Sequence, residues 1–271
     1  MTKIFYETHF FEEPSFPIIF HYNTLTKGTF EVFPHWHLNI ELLYVMEGTV
    51  LITSNTEKII ANVGDIVVIN SNYLHSIQSM NKQCSYYCLI IDHEHSQNLG
   101  FDTTNNRFLS ITTDKEIKNI YNLIINEMLN RKNYYKKAAV ALCTSMLILL
   151  FRNLWLDQNQ EINASDSKTS LVKQSIGYIN EHYNENITIA DICATIGVSK
   201  FHFCRIFKEI TQKTVNEYII YLRVQQARFL LIEKSYSVSE AAEATGFNSN
   251  SYFSKCYKKI LGILPSKERS I

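Results

Sequence analysis

The sequence predicts an α+β protein whose first half is a small antiparallel β-barrel followed by two helices, and whose second half is all-α. Three observations support this prediction. Between about residues 18 and 92, short runs rich in Ile, Val, Tyr and Phe alternate with turn residues. Beyond Thr112 the apolar residues follow helical spacing. Finally, two similar helical stretches begin about 50 residues apart, at Ile187 and Tyr236.

The N-terminal strands are predicted from runs of β-branched and aromatic residues that turn residues separate. Regularly spaced short strands of this kind are typical of a small antiparallel barrel or sandwich. The predicted strands are Glu41–Met46, Thr49–Thr53, Lys58–Ala61, Ile66–Ile69 and Tyr86–Ile91.

Two helices are predicted after the barrel. Helical spacing between Ile117 and Met128 predicts the first, and the second is predicted over Tyr134–Leu156. An apolar stripe outside a small barrel must be covered by the barrel or by a second copy, and we expect a homodimer through Ile117–Met128. The apolar run Ala138–Phe151 is too short to span a bilayer, so we expect a buried or interface helix and no membrane partner.

The chain is predicted to contain two domains. Residues 157–170, DQNQEINASDSKTS, are polar and have no apolar periodicity, which indicates a linker. It would separate a domain with the barrel and the predicted dimerisation helices, residues 1–156, from a helical domain, residues 171–271.

Charge is distributed unevenly between the two halves. The totals are 26 basic and 26 acidic residues, of which 14 and 9 lie from Lys168 onward. The first half therefore carries 12 − 17 = −5 and the second 14 − 9 = +5. This asymmetry favours a C-terminal half that faces nucleic acid, although chance variation between two domains would give the same count.

Cysteine usage indicates a reducing compartment. The six cysteines form no CxxC pair, and the start MTKIFYETHF lacks the features of a signal peptide. We therefore expect a cytoplasmic protein with free thiols, with Cys84 and Cys88 in its core.

The two C-terminal stretches follow the logic of a helix-turn-helix. Each has a polar N-cap, a short helix with small residues, a glycine that can adopt a left-handed conformation, a second cap, and a helix with buried aromatic residues. In the first copy these are Thr188, Gly197, Ser199, Phe203 and Phe207, and in the second Ser237, Gly246, Asn248, Phe253 and Tyr257.

The exposed faces of the second helices are the predicted DNA contacts. They carry groups that can reach base edges and phosphates. The residues are Lys200, Phe201, Cys204, Arg205 and Lys208 in the first copy, and Asn250, Ser251, Ser254, Lys255 and Lys258 in the second. Two ordinary helical hairpins are the alternative, but two copies with basic faces in a net-positive half favour DNA binding.

A single helix is predicted between the copies. Val215–Glu233 contains about 19 residues, or roughly 28 Å at 1.5 Å per residue. Successive major grooves on one face of B-DNA lie about 34 Å apart. A helix of this length could hold both recognition helices in adjacent grooves.

At this point about 100 C-terminal residues resemble the AraC/XylS family of bacterial transcription regulators. The resemblance is carried by GVSKFHFCRIFKE, YLRVQQARFLL and GFNSNSYFSKCYKKILGILP. The family usually has Thr-Pro and then Tyr-Arg near the end, where this chain has Leu264 and Glu268 for the Thr and Tyr but keeps Pro265 and Arg269. The resemblance implies a regulator, more often an activator, with promoter DNA, RNA polymerase and a small-molecule effector as partners.

The stretch HWHLNIELLYVMEG, His35 to Gly48, resembles the first cupin motif, and GDIVVINSNYLH, Gly64 to His75, resembles the second. On one strand, alternate residues share a face, so His35, His37, Asn39 and Glu41 would point the same way and His75 could join them.

Three interpretations of this cluster remain open: a metal site in an enzyme, a metal-free effector pocket, and histidines held by local hydrogen bonds. In regulators of this type the cupin-like barrel usually senses a small molecule. We therefore expect an effector pocket with no metal, no cofactor and no catalysis, and a carbohydrate as the effector. The alternative function is a metal-dependent cupin enzyme with a helical tail.

Overall fold

The structure, a computed structural model, describes residues 9, 11, 13, 15–27, 32–156 and 164–270. The described residues up to 156 form one compact unit and those from 164 form a second. The two units are considered separately below.

The N-terminal unit contains two larger antiparallel sheets and one two-stranded sheet. In chain order the strands are β1 (Ile18–Thr26), β2 (Val32–His35), β3 (Ile40–Glu47), β4 (Thr49–Ser54), β5 (Glu57–Asn62), β6 (Ile66–Ile69), β7 (His75–Ser79), β8 (Gln83–Ile91), β9 (Arg107–Phe108), β10 (Ile111–Thr112) and β11 (Trp155–Leu156). All five predicted strands are confirmed, as β3, β4, β5, β6 and β8. The predictions omitted the N-terminal strands, β7 and the three short strands.

The strands pair as β1-β8-β3-β6-β10 in one sheet and as β2-β7-β4-β5 in the other, while β9 pairs with β11. Among the described strands no ladder joins the two larger sheets, so the predicted barrel or sandwich is a pair of sheets. The chain crosses between them at Gly48, whose φ is +72°. A Cβ there would lie 2.5 Å from the carbonyl oxygen of Gln83, so only glycine fits this crossing.

Strand β3 is buried on both faces, and this explains its continuous apolar run. Ile40 and Leu42 belong to a core formed with the following helices. Leu43 and Val45 belong to a second core, to which both larger sheets contribute. Because side chains alternate along a strand, Glu41 shares the face of Leu43 and lies in the space between the sheets.

Three helices accompany the sheets: α1 (His93–Asn98), α2 (Lys115–Asn130) and α3 (Tyr135–Leu149). On α2 the predicted apolar stripe is buried against the five-stranded sheet, and Tyr121 Oη donates to the carbonyl oxygens of Leu42 at 2.9 Å and Tyr87 at 3.0 Å. Placing this stripe at a dimer interface was therefore wrong, because Ile124 and Met128 are already covered by their own domain.

The second predicted helix ends earlier than Leu156. Helix α3 stops at Leu149, a π-helical turn follows over Leu150–Leu154, and Trp155 begins β11 by pairing with Phe108. Together, Tyr135–Leu154 are 20 residues, and an 18-residue window within them has a mean hydropathy of 1.5, which suffices to cross a membrane by length and composition alone. One face of this segment, including Cys143, Met146 and Leu150, is buried in the core with α2 and the sheet.

The C-terminal unit is helical. Its elements are α4 (Ala164–His182), α5 (Ile189–Ile196), α6 (Lys200–Thr211), α7 (Val215–Glu233), α8 (Val238–Ala244), α9 (Asn250–Leu261) and a 3₁₀ turn over Pro265–Ser270. Helix α7 has the predicted bounds. Capping boxes begin α5, α7 and α8, where Thr188, Thr214 and Ser237 pair reciprocally with an acidic residue three positions later. The N-cap of α9 is Ser249 and not the predicted Asn248.

The predicted linker, residues 157–170, is only partly outside regular structure. Residues 157–163 lie outside the described residues, and residues 164–170 belong to α4, so the linker prediction was wrong for that part. The helical spacing was hidden because Thr169, a polar residue, occupies a buried position in series with Val172, Ile176 and Ile179.

Candidate nucleic-acid interface and histidine cluster

The two recognition helices α6 and α9 have the same burial pattern. Position by position from Lys200 and Asn250, three exposed residues are followed by a buried one, a half-buried one, an exposed one, two buried ones and two exposed ones. The buried positions hold Phe203, Ile206 and Phe207 in α6 and Phe253, Cys256 and Tyr257 in α9. Each helix therefore anchors one face and leaves the opposite face to solvent.

The residues predicted to contact DNA all lie on these outward faces or at their edges. Lys200, Arg205, Lys208, Lys255 and Lys258 are exposed, and Cys204 and Ser254 are half-buried. Phe201 is 79% exposed. Sequence reasoning missed His202, Tyr252 and Lys259, which are exposed beside the predicted stripe. The signal was available, because they occupy neighbouring positions of the same helical turns.

Arg223, near the middle of α7, connects the segment that follows α4 to the turn between α8 and α9. Its guanidinium donates to three backbone carbonyl oxygens: Nε to Tyr183 at 2.7 Å, Nη1 to Gly246 at 2.8 Å and Nη2 to Glu185 at 2.8 Å. The first and third acceptors follow α4, whereas Gly246 lies in the turn of the second copy. Arginine suits this role because its planar fork presents several donors in a fixed geometry. No sequence pattern identified this residue, because its partners are 23 to 40 positions away.

In the N-terminal unit, the predicted cluster does assemble, but not on one strand. His35 ends β2 and is the cross-strand partner of His75 on β7, with ring centroids 4.1 Å apart. Glu41 comes from β3 in the other sheet, and His37 lies in the connection between β2 and β3. One ligand atom from each of the four residues lies within 4.8 Å of the others. The cluster therefore bridges the two sheets.

Hydrogen bonds to the main chain orient all three histidines. Their Nδ1 atoms lie 2.8, 2.9 and 2.9 Å from the carbonyl oxygens of Phe33, Asn39 and Tyr73, respectively. A carbonyl oxygen only accepts, so each Nδ1 must donate. In the neutral imidazole this places the proton on Nδ1 and leaves a lone pair on Nε2.

One carboxylate oxygen of Glu41 lies close to two of the three histidines. Its Oε2 lies 3.0 Å from His37 Nε2 and 3.2 Å from His75 Nε2, and the second approach is outside the hydrogen-bonding direction. Its Oε1 accepts from the Cys88 thiol at 3.1 Å. Sequence reasoning placed Cys88 in the core but missed this contact, which depends on the pairing of β3 with β8.

Burial shapes the charges in this cluster. It lowers the pKa of His37 to about 4 and also lowers the pKa of His75. For Glu41, burial alone would raise the pKa, but the neighbouring His37 and His75 rings hold it well below the usual range. At neutral pH Glu41 is therefore a carboxylate, and His37 and His75 are neutral.

Asn39, the fifth predicted residue, does not point into the cluster. Its side chain accepts from the backbone N–H of His93 at 2.9 Å and contacts His9 Nδ1 at 2.7 Å. Only its carbonyl oxygen serves the cluster, by holding His37. The expectation that the residues from 35 to 41 share one face failed here, because the chain leaves β2 after His35 and changes sheet before β3.

The chain resembles known regulators in both halves. The family model for the AraC-like ligand binding domain matches residues 23–136, and the one for a helix-turn-helix domain matches residues 192–270. An uncharacterized HTH-type transcriptional regulator, YdeC, of Bacillus subtilis (strain 168) is 30% identical over 246 residues, covering 85% of this chain and 84% of the relative. The melibiose operon regulatory protein of Escherichia coli (strain K12) is 23% identical and covers 88% and 83%.

Among solved structures, ToxT from Vibrio cholerae O395 matches 93% of this chain and 96% of its own, with 14% identity and a TM-score of 0.46. The match to YdeC along most of both chains, together with the two family models, is sufficient. The chain belongs to the AraC family of transcription regulators, with a ligand-binding domain followed by a helix-turn-helix DNA-binding domain.

Proposed function

We propose that the protein binds promoter DNA through the outward faces of α6 and α9, and that a small molecule bound in the N-terminal domain changes this binding. The observation that carries the proposal is the repeated burial pattern, because it keeps two basic faces in solvent on a helical framework. A face of this kind offers cations to phosphates and hydrogen-bonding groups to base edges.

The two helices have separate roles in this proposal. Helix α7 has 19 residues, roughly 28 Å, so α6 and α9 would enter successive major grooves about 34 Å apart. Arg205 would make a bidentate contact to guanine, and Lys258 would contact a phosphate. Around them, Lys200, Phe201, Cys204 and Lys208 would complete the first surface, and Asn250, Ser251, Ser254 and Lys255 the second.

The effector site in this proposal is the region of His35, His37, Glu41 and His75, with Asn39 beside it. Its position between two sheets suits a small molecule, and buried polar groups give specificity in such sites. The similarity to the melibiose operon regulatory protein supports a carbohydrate as the effector. We further propose a cytoplasmic homodimer that acts with RNA polymerase as an activator by population shift between two arrangements.

Binding of the full chain to the DNA upstream of its own gene tests this function. We expect log affinity to fall linearly with log salt concentration, since each phosphate contact releases counterions. Changing Lys208 and Lys258 together to Ala should reduce the slope by about two. The matched control is Lys82→Ala, an exposed lysine of the N-terminal unit, which should leave the slope unchanged. Binding that does not depend on salt, or an equal effect of both variants, would contradict the proposal.

A reporter assay tests the response to the effector. The upstream DNA drives a reporter in cells supplied in turn with different mono- and disaccharides. We expect one sugar to raise expression, and His37→Ala to remove that response while operator binding persists. No response to any sugar would reject the carbohydrate assignment, while leaving DNA binding to be judged by the salt experiment.

A further inference from the structure

We propose that His35, His37, His75 and Glu41 bind one divalent transition-metal ion between the two β-sheets, contrary to the expectation from the sequence. The inference deepens the proposed effector site, and its regulatory meaning rests on that proposed function. The binding itself is argued from the geometry of the four side chains.

The three histidine rings have too few protons for all their polar contacts. Each ring donates through Nδ1 to a carbonyl oxygen, so a neutral imidazole has no proton left for Nε2. Yet His37 Nε2 and His75 Nε2 both lie within 3.2 Å of the same oxygen of Glu41. Nitrogen and oxygen lone pairs that face each other at this distance repel, unless a positive charge lies between them.

Protons satisfy this arrangement poorly. A protonated Glu41 could donate from Oε2 to only one of the two nitrogens. His75 Nε2 is buried and has no hydrogen bond. A single metal ion would instead accept lone pairs from all four groups at once.

The spacing of the four ligand atoms also suits a single metal ion. The four ligand atoms lie within 4.8 Å of one another. In an octahedral shell, two ligands on opposite sides of the ion are about 4.2 Å apart, at roughly 2.1 Å per bond. Shifts of a few tenths of an ångström per side chain would therefore close the shell, which is within the range of ordinary side-chain motion.

Hydrogen bonds from surrounding groups also hold the four ligands in place. Metal-bound histidines almost always donate their other ring nitrogen to a carbonyl or carboxylate, and all three do so here. The second oxygen of Glu41 is held by Cys88. Each ligand therefore has its orientation set by a separate group before the ion binds.

The donor set indicates the class of ion. Three imidazole nitrogens and one carboxylate oxygen suit Zn²⁺, Co²⁺, Ni²⁺ or Fe²⁺ better than Mg²⁺ or Ca²⁺, which prefer oxygen. In an octahedral ion, four protein ligands leave two positions. Water or oxygen donors of the effector, such as neighbouring hydroxyl groups, would occupy them.

Titration of the full chain with metal tests the site. After treatment with chelator, the protein is titrated with Co²⁺, followed by its visible absorption, and in separate runs with Zn²⁺, followed by elemental analysis and thermal melting. We expect one equivalent per chain and a higher melting temperature. Glu41→Gln keeps the shape of the side chain and should weaken binding about 100-fold or more, while Cys88→Ala should weaken it about 10–100-fold.

His21→Gln is the matched control, since His21 is an exposed histidine of β1 outside the cluster, and it should bind as the natural chain does. Thermal melts of the metal-free variants establish that each is folded. Failure of the folded natural chain to take up one equivalent would overturn the proposal, as would tight binding by Glu41→Gln. Promoter binding is measured on the same samples, so a metal site that fails leaves the proposed DNA function standing, and the reverse also holds.

Discussion

The two helix-turn-helix copies are alike inside and different outside. The buried positions of α6 and α9 coincide and are occupied by aromatic or similar apolar residues. The residues at the exposed positions differ between the copies: Lys200 corresponds to Asn250, Phe201 to Ser251 and Arg205 to Lys255. Packing requires a particular interior, whereas the outward face is free to vary with the DNA that it reads. The framework is thus repeated, and the surface that would carry specificity is not.

The turns of the two copies also differ in their surroundings. Gly197 and Gly246 both have positive φ angles, +70° and +80°. Around Gly197 the space for a Cβ is open, whereas a Cβ at Gly246 would lie 2.6 Å from the carbonyl oxygen of Asn184. The two equivalent glycines are therefore required for different reasons. Gly197 is required only for its left-handed backbone, whereas Gly246 also leaves space for the neighbouring loop that Arg223 holds.

The largest expected effect is a difference in stability between alanine substitutions at these two glycines. Gly197→Ala should cost about 1 kcal/mol, for the left-handed backbone alone. Gly246→Ala should cost about 3 kcal/mol, because overpacking adds roughly 1–3 kcal/mol. Hydrogen exchange of the full chain, read separately over α5–α6 and α8–α9, measures the two local free energies of opening. Equal losses would mean that Asn184 moves aside without cost.

A smaller effect sharpens the comparison of the outward faces. Arg205→Ala should relax the preference for one base pair of the operator by roughly 1–3 kcal/mol, because a bidentate contact to guanine is lost. Lys255→Ala changes the equivalent position of α9, and a single ammonium group should give less discrimination. Competition between operators that carry single base changes measures both. An equal loss on specific and random DNA for Arg205→Ala would exclude direct base contact.

The smallest effect concerns a position that the copies share. Lys208 and Lys258 are equivalent and exposed, so each should contact a phosphate. Changing either to Ala should weaken binding to all sequences alike and reduce the salt slope by about one. If only one of the two does so, just one copy sits fully in its groove.

Local patterns allowed much of the architecture to be predicted. Helix α7 was predicted to the residue because a capping box at Thr214 and a regular apolar stripe mark it within its own sequence. Strands β3 to β6 were predicted because turn residues separate them. The start of α4 was missed, since a buried threonine at position 169 interrupted the apolar pattern. The end of α3 was missed because Trp155 continues the apolar run but pairs with β9.

The residues of the histidine cluster could be named from the sequence, but their relation could not. A motif with alternate polar residues suggested one strand with one polar face. In the structure His35 and Glu41 belong to different sheets, and Asn39 turns its side chain to His9 and His93. The prediction of no metal followed from the family resemblance and not from the geometry. The case for an ion depends on the distances among the four side chains in the structure, including the 3.2 Å between His75 Nε2 and Glu41 Oε2.

By itself, then, the sequence determined the class of the protein: five of the strands, the two helix-turn-helix copies, the length of α7 and the exposed residues of α6 and α9. These depend on spacing within about one element, where propensity, capping and periodicity act. The tertiary structure alone decided the contacts between distant segments. Arg223 reaches back 40 positions to Tyr183, and Glu41 meets Cys88 47 positions away. Such contacts depend on sheet pairing and helix packing, in which many weak interactions act together. Their combined effect cannot be inferred from a short stretch of sequence.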